Sequence, residues 1–567
     1  MHADALVVRL PFSLWLLVPA LVGGGIGMTL AHRAAGPPVR EAAAPAVVVH
    51  ATSAASAVPR LVYRNAWKHN SLVTRTPGLH ALAPAAGEST TNLPTAAMPH
   101  ESDVVAFDSR TFAATPGDGT STPADGTTVP TSDVFTPTTS TSPPAQVSTT
   151  PIEITGVHTV SLTPFSATIQ WDTSEPVGAR ISYGLDSPTV WTPADTQSTS
   201  HVATVDGLTG GLSYRLWVNA EASDGRTASL PFVLTTPSLT DRPTASVANA
   251  TFLLDGHPTF PTLVWGACSD QYASLLAVGI DTFLGKGCGD GAHEVAALGL
   301  HGYFVSDAKE PAVPGSVGSF LPDEWDTFLP STVTSAEVQD KIPNNGGGPR
   351  FLTLTNHFFS KAAPLPQGRG MYPALVANAD VLGFDLYPLE NWCRWDDFPV
   401  VYDSQRELVS LAAGKPTFQW IEVRHMDCPD PTLDPTPQTV RAETWLAVAG
   451  GAHAIGYFPK DFSPEIGAEI AREKRELQTL TPALVEPAID ASADNGKVRV
   501  GAREHNGAIY VIAVNASRDP VSSTIKVPAL GNRSLVSLDG TRSGTAANGA
   551  FTDTFAPLDV HIYIAAP

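Results

Sequence analysis

A multidomain chain built around a (β/α)8 barrel, with a small β-sandwich on either side of it, is what three observations in this sequence predict. Residues 258–485 alternate strand-like apolar runs with helical stretches, the pattern of parallel βαβ units. Residues 151–237 and 490–567 instead carry short alternating runs cut by Gly, Pro, Asp and Asn, with no helical period. At 567 residues the chain has room for about three or four domains of ordinary size.

Composition narrows the function classes. Lys plus Arg number 34 against 55 Asp plus Glu, and the formal net charge of −21 has the wrong sign for a nucleic-acid-binding surface. With 43% hydrophobic and 16% charged residues, the chain has enough apolar material for real cores.

Residues 1–33 read as a targeting segment. Arg9 precedes the apolar run Leu10–Ala31, which is long enough to span a bilayer. It is either a cleaved export signal or an uncleaved membrane anchor; no clear A-x-A site follows, which favours the anchor. Residues 34–150 are runs of Ala, Pro, Thr and Ser that cannot bury enough apolar area to offset chain entropy, so they are expected to be a disordered stalk. The remainder of the chain would then lie outside the cytoplasm, membrane-anchored or secreted.

In residues 151–237 the alternating runs Ala167–Trp171 and Ala179–Tyr183 supply sandwich strands, and Leu208 with Tyr214 places a tyrosine hydroxyl where it can tie back to the preceding corner. With Trp171 as the core tryptophan, this segment resembles a fibronectin type III domain.

Eight barrel strands can be counted: Thr262–Gly266, Thr282–Gly285, Gly302–Ser306, Gly318–Leu321, Phe351–Thr355, Val381–Leu386, Thr417–Ile421 and Ala454–Phe458, within a domain spanning 250–485. Barrel chemistry sits at the C-terminal strand ends. Those ends carry Cys268 and Asp270, Lys286, Asp307, Asp323 and Glu324, Asn356 and His357, Asp385 and Tyr387, Glu422 with Arg424 and His425, and Lys460 and Asp461. Glu324 and Glu422 close strands four and seven, which face each other across the mouth and can hold two carboxyls about 5 to 5.5 Å apart on either side of a sugar carbon. One would protonate the leaving oxygen and the other attack the anomeric carbon.

This arrangement resembles the (β/α)8 retaining glycoside hydrolases. The resemblance implies Glu324 as acid/base, Glu422 as nucleophile, and Tyr387 in Val381-Leu-Gly-Phe-Asp-Leu-Tyr387 as a hydrogen-bond partner of the nucleophile. One departure is Asp323 immediately before the acid, where much of that group has Asn. Asp307, Asp323, Asn356, His357, Asp385, Tyr387, Trp325 and Trp392 are the candidate substrate contacts. An oligosaccharide, polysaccharide or glycoconjugate is the expected partner, and no cofactor is called for.

Four cysteines follow strands one, two, six and seven, and adjacency of those strands selects Cys268–Cys288 and Cys393–Cys428 as loop disulfides. No metal ligand set is legible: there is no C-x-x-C, no H-E-x-x-H and no His-x-His near the C-terminus, which disfavours a metallophosphoesterase. The alternative to a hydrolase is a non-catalytic carbohydrate-binding or cell-surface protein on the same scaffold.

Overall fold

The computed structural model describes residues 150–311, 313–342 and 347–567. The expected targeting segment and all but the last residue of the expected stalk lie outside the described residues. Among the described residues no helix is long and apolar enough to cross a membrane.

The first region has six strands: β1 (Ile154–Leu162), β2 (Ala167–Gly184), β3 (Val190–Trp191), β4 (Ser198–Val205), β5 (Ser213–Glu221) and β6 (Thr227–Thr235). The two runs read from sequence are halves of one 18-residue strand. The first half of β2 pairs with β1 and β4, and the second with β3 and β5, so it passes from one face to the other. Its inward positions Ile169, Trp171 and Ile181 are fully buried. The Thr209 N–H donates to the Tyr214 hydroxyl at 2.8 Å, which closes the expected corner.

A three-stranded sheet follows that the sequence reading did not foresee: β7 (Ala245–Ala248), β8 (Thr251–Leu254) and β9 (His257–Thr259). Its Phe252 and Leu254 join Phe165 of the sandwich in one apolar cluster with Leu263, Phe351 and Phe418 at the N-terminal end of the barrel. That end is thereby sealed.

The barrel is closed and all parallel: β10 (Thr262–Trp265), β11 (Thr282–Leu284), β12 (Tyr303–Asp307), β13 (Gly318–Phe320), β14 (Arg350–Thr355), β15 (Val381–Asp385), β16 (Thr417–Glu422) and β17 (Ala454–Phe458), the last pairing back to β10. Each expected strand is present within a residue or two. Strand alternation divides the apolar side chains. Leu263, Leu284, Val305, Phe320, Phe351, Phe418 and Trp420 fill the interior. Val264, Phe283, Phe304, Leu352, Leu354, Phe384 and Ile421 face the helices.

Those helices are α1 (Tyr272–Ala277), α2 (Gly291–Leu298), α3 (Ser335–Gln339), α4 (Tyr372–Asn378), α5 (Val400–Ala412), α6 (Pro437–Gly450) and α7 (Pro464–Leu484). Among the described residues of 308–317, between β12 and β13, no helix occurs, so one of the expected crossovers is a loop.

Two glycines make room for the interior aromatics. A Cβ at Gly383 would lie 2.1 Å from the Phe418 ring, and one at Gly456 would lie 2.3 Å from the Trp420 ring. Gly456→Ala should therefore displace Trp420 and lower stability by about 1–3 kcal/mol, as overpacking does. A urea midpoint equal to that of the parent would refute this.

The C-terminal region consists of β18 (Ala488–Ile489), β19 (Ser492–Ala493), β20 (Val498–His505), β21 (Ala508–Asn515), β22 (Val521–Lys526), β23 (Ser534–Ser537), β24 (Ser543–Thr545), β25 (Ala550–Phe555) and β26 (Val560–Ala565). They form antiparallel sheets in the orders β18-β20-β21-β26-β23-β24 and β19-β22-β25, around a core that includes Val500, Val511, Ile525 and Phe555. The opposite face of the larger sheet, including Tyr510, Ile512 and Ile562, belongs to the same core as the barrel helices.

Candidate functional site

The C-terminal strand ends gather a ring of polar and aromatic residues around a pocket of about 250 Å³. Trp265, Lys286, Asp307, Lys309, Phe320, Pro322 and Asp323 line it. Trp265 packs edge-on against both Phe320 and Trp420, forming the apolar floor. Lys286 and Glu310 form an ion pair at the rim. The Lys309 N–H donates to Asp307 Oδ1 at 2.8 Å and fixes that carboxylate at the end of β12.

Three carboxyls crowd beside this pocket. Glu324 has left-handed backbone angles, φ 47° and ψ 40°, which cost a non-glycine residue about 1 kcal/mol or more. Below it, buried Asp326 anchors the turn by accepting from the Thr355 N–H at 3.1 Å, the Thr355 hydroxyl at 2.5 Å and the Tyr372 hydroxyl at 3.0 Å. The Glu324 carboxyl lies close enough to that of Asp385, the last residue of β15, for the two to interact directly.

Two carboxyls in contact cannot both ionise cheaply, so one of this pair holds a proton well above the usual carboxylate range. Burial is the largest cause for both residues; Asp385 is raised further by the charge of Glu324. Asp323 is pushed up to about 7, first by the protein crowded round it and then by Glu324 and Asp326. Water still reaches Asp323, since its residue surface is exposed. Like-charge crowding and an open rim therefore act on it together.

Glu422 ends β16 and is 1% exposed. Its Oε1 accepts from the Leu389 N–H at 2.9 Å and its Oε2 from the Glu390 N–H at 2.7 Å. Burial raises its pKa, while a hydrogen bond from Glu443 and the two amides lower it, leaving it at about 7. Glu443 lies on α6, 1% exposed, and neither of its oxygens has a donor among the described residues. Once protonated it can instead donate to Glu422, which accounts for both facts. Burial and the Glu422 charge hold its pKa well above the ordinary value.

Tyr387 is buried between these groups, its ring stacked on Phe458 with centroids 5.8 Å apart. Burial and the charges of Asp385, Asp323, Glu324 and Glu422 keep its phenol protonated.

The ring expected from sequence thus divides. Asp307, Asp323, Glu324, Asp385 and Tyr387 come together at the mouth, with Glu422 beside Tyr387. Asn356 and His357 are buried in a single helical turn, and His357 Nδ1 lies 2.8 Å from the Ala363 carbonyl. They brace the loop after β14. Trp325 and Trp392 pack into the core on the helix side of the barrel. Lys460 donates to the Gly266 carbonyl at 2.6 Å, and Arg424 pairs with Asp461 at the surface. The sequence reading did not assign Glu443 or Lys309. Glu443 is the one acidic residue of α6 and stands immediately before its apolar stretch Thr444–Gly450, which was the available signal for it.

Both disulfides form as the strand order required. Cys268 joins Cys288, and Cys393 joins Cys428, with Cα separations of 5.0 and 5.3 Å. They staple neighbouring loops on the face that carries the carboxyls.

No family model matches the chain, and no curated protein matches it. Solved structures that resemble it include a GH30 endoxylanase from Clostridium papyrosolvens, 15% identical, covering 57% of this chain and 98% of its own with a TM-score of 0.30. A noncanonical maltogenic α-amylase from Thermotoga neapolitana is 10% identical, covering 54% and 98% with a TM-score of 0.37. A family 39 glycoside hydrolase from Bacteroides cellulosilyticus is 10% identical, covering 73% and 100% with a TM-score of 0.32. At these scores the likeness adds nothing to the barrel already visible in the strand order.

Proposed function

We propose that the chain is an exported glycoside hydrolase that works by retaining double displacement, with Glu324 as acid/base and Glu422 as nucleophile. The observation that carries this reading is the carboxyl cluster of Asp323, Glu324 and Asp385 at the barrel mouth, which keeps a neutral acid beside a pocket at neutral pH. Glu324 would protonate the glycosidic oxygen as the bond to the leaving group breaks. The Glu422 carboxylate would then hold the sugar as a covalent ester, and water, deprotonated by Glu324, would release it. Two amide N–H donors and Glu443 favour an ionised Glu422, as a nucleophile requires.

A second reading assigns the nucleophile to Asp385. What speaks for it is that Glu422 has both oxygens engaged and almost no exposed surface, whereas Asp385 is only half-buried at the end of β15. In either case Lys286, Asp307 and Trp265 are the groups best placed to hold sugar hydroxyls and a ring face. The two disulfides and the apolar N-terminal run support export, and that run would hold the protein at a membrane or be removed.

Mass spectrometry after exposure to a panel of activated 2-deoxy-2-fluoro glycosides tests the reading. A single adduct on Glu422 is the expected result, and an adduct on Asp385 would move the nucleophile there. A folded protein that takes no adduct from any sugar in the panel would favour a non-catalytic carbohydrate-binding role.

A further inference from the structure

We propose that Glu390, His425 and Asp434 form a binding site for a divalent cation of the zinc type. It would sit on the loops beside Glu422, separate from the carboxyl cluster. Glu390 lies in the loop after β15, and His425 and Asp434 lie in the loop after β16; the Cys393–Cys428 disulfide joins the two loops. One ligand atom from each residue falls within 4.8 Å of the other two. His425 Nδ1 is 2.8 Å from Asp434 Oδ1 and 3.5 Å from Glu390 Oε2. Tetrahedral bonds of about 2.0–2.1 Å separate neighbouring donors by about 3.3–3.5 Å, so small side-chain shifts suffice to seat an ion.

Glu390 supplies the independent observation. Its side chain is 0% exposed, and although Oε2 accepts from the Met426 N–H at 2.6 Å, Oε1 completes no hydrogen bond among the described residues. The Cys428 amide lies near the carboxyl without satisfying that oxygen. A buried carboxylate with an open oxygen calls for a cation, a proton or a water. The His425 imidazole meets Oε2 and Asp434 but leaves Oε1 open.

The donor set selects the class of ion. One imidazole nitrogen with two carboxylates suits zinc or a neighbouring transition ion, whereas calcium takes six to eight oxygens. His425 and Asp434 have about half of their side-chain surface open, which gives the ion a path in and leaves a position for water. The site also has a mechanical consequence. The Glu390 N–H holds Glu422 Oε2, so a cation on the Glu390 carboxylate would stiffen the loop that orients Glu422.

The test is independent of hydrolysis. Full-length protein dialysed against EDTA is titrated with zinc chloride by calorimetry, and its melting temperature is followed with and without zinc. One equivalent should bind and raise the melting temperature. His425→Ala and Asp434→Asn, both at half-exposed positions, should each weaken binding by about tenfold or more while melting like the parent in EDTA. Absence of zinc binding, or binding by either variant as tight as the parent's, would overturn the site. Tighter binding of calcium chloride than of zinc or manganese chloride would overturn the class of ion.

Discussion

Glu324→Gln should lower kcat/KM on a glycoside with a poor leaving group by about 10²–10⁴-fold, the usual contribution of a positioned proton donor. The loss should shrink on aryl glycosides whose leaving group needs no proton. The pH profile separates this role from a structural one. Glu324 must carry its proton, and its contact with Asp385 in a buried setting raises the pKa of the pair. Parent activity should therefore fall as the pH rises through that raised value. Glu422 must be ionised, so on the acid side activity should climb as the pH rises through about 7. In Glu324→Gln the alkaline fall disappears and the acid limb remains. An unchanged rate, or an alkaline limb that survives, would remove Glu324 from the mechanism.

The second large effect concerns stability. Glu473 on α7 is 0% exposed; its Oε2 accepts from the Tyr457 hydroxyl at 2.8 Å, and its Oε1 has no partner among the described residues. Burial, and then the charge of Glu469, push its pKa up to about 8 against the opposing effects of Arg441, Tyr457 and Thr444. The folded chain thus keeps a proton that the unfolded chain gives up near pH 4.5. The associated stability is complete below that value and is lost as the pH rises through about 8, an amount on the order of 5 kcal/mol. Urea unfolding should show the parent weakening between pH 5 and pH 9. Glu473→Gln, which is neutral at every pH, should show a flatter slope over the same window. Parallel slopes for the two proteins would mean that Glu473 titrates normally.

The barrel was legible because its strands are short, nearly continuous apolar runs such as Phe351–Thr355 and Thr417–Ile421, set off by turns and helices. The order of the strands then fixed which cysteines are neighbours. Strand-end position was a weaker guide to the site. It locates a residue along the chain but does not say which way the chain turns next. After β14 the backbone curls into a helical turn that buries Asn356 and His357, whereas β15 runs straight to Asp385 and Tyr387 at the mouth. The sheet β7–β9 escaped notice because strands of three or four residues carry too little alternation to read. So did β25, whose sequence Ala550-Phe-Thr-Asp-Thr-Phe555 is half polar. Glu390, His425 and Asp434 come from irregular loops, where no spacing rule brings ligands together.

The placement of Phe165 has a consequence for how the molecule comes apart. A phenylalanine from the sandwich helps close the barrel floor, and Tyr510 from the C-terminal sheet belongs to the apolar core outside the barrel while donating to the Thr189 carbonyl of the sandwich at 2.9 Å. Neither flanking region hangs from the barrel as an independent bead. Each supplies part of the dry interior on which the others depend, so heat should dismantle residues 151–567 in one cooperative transition, and the sandwich acts as a structural wall of the barrel rather than an accessory to it.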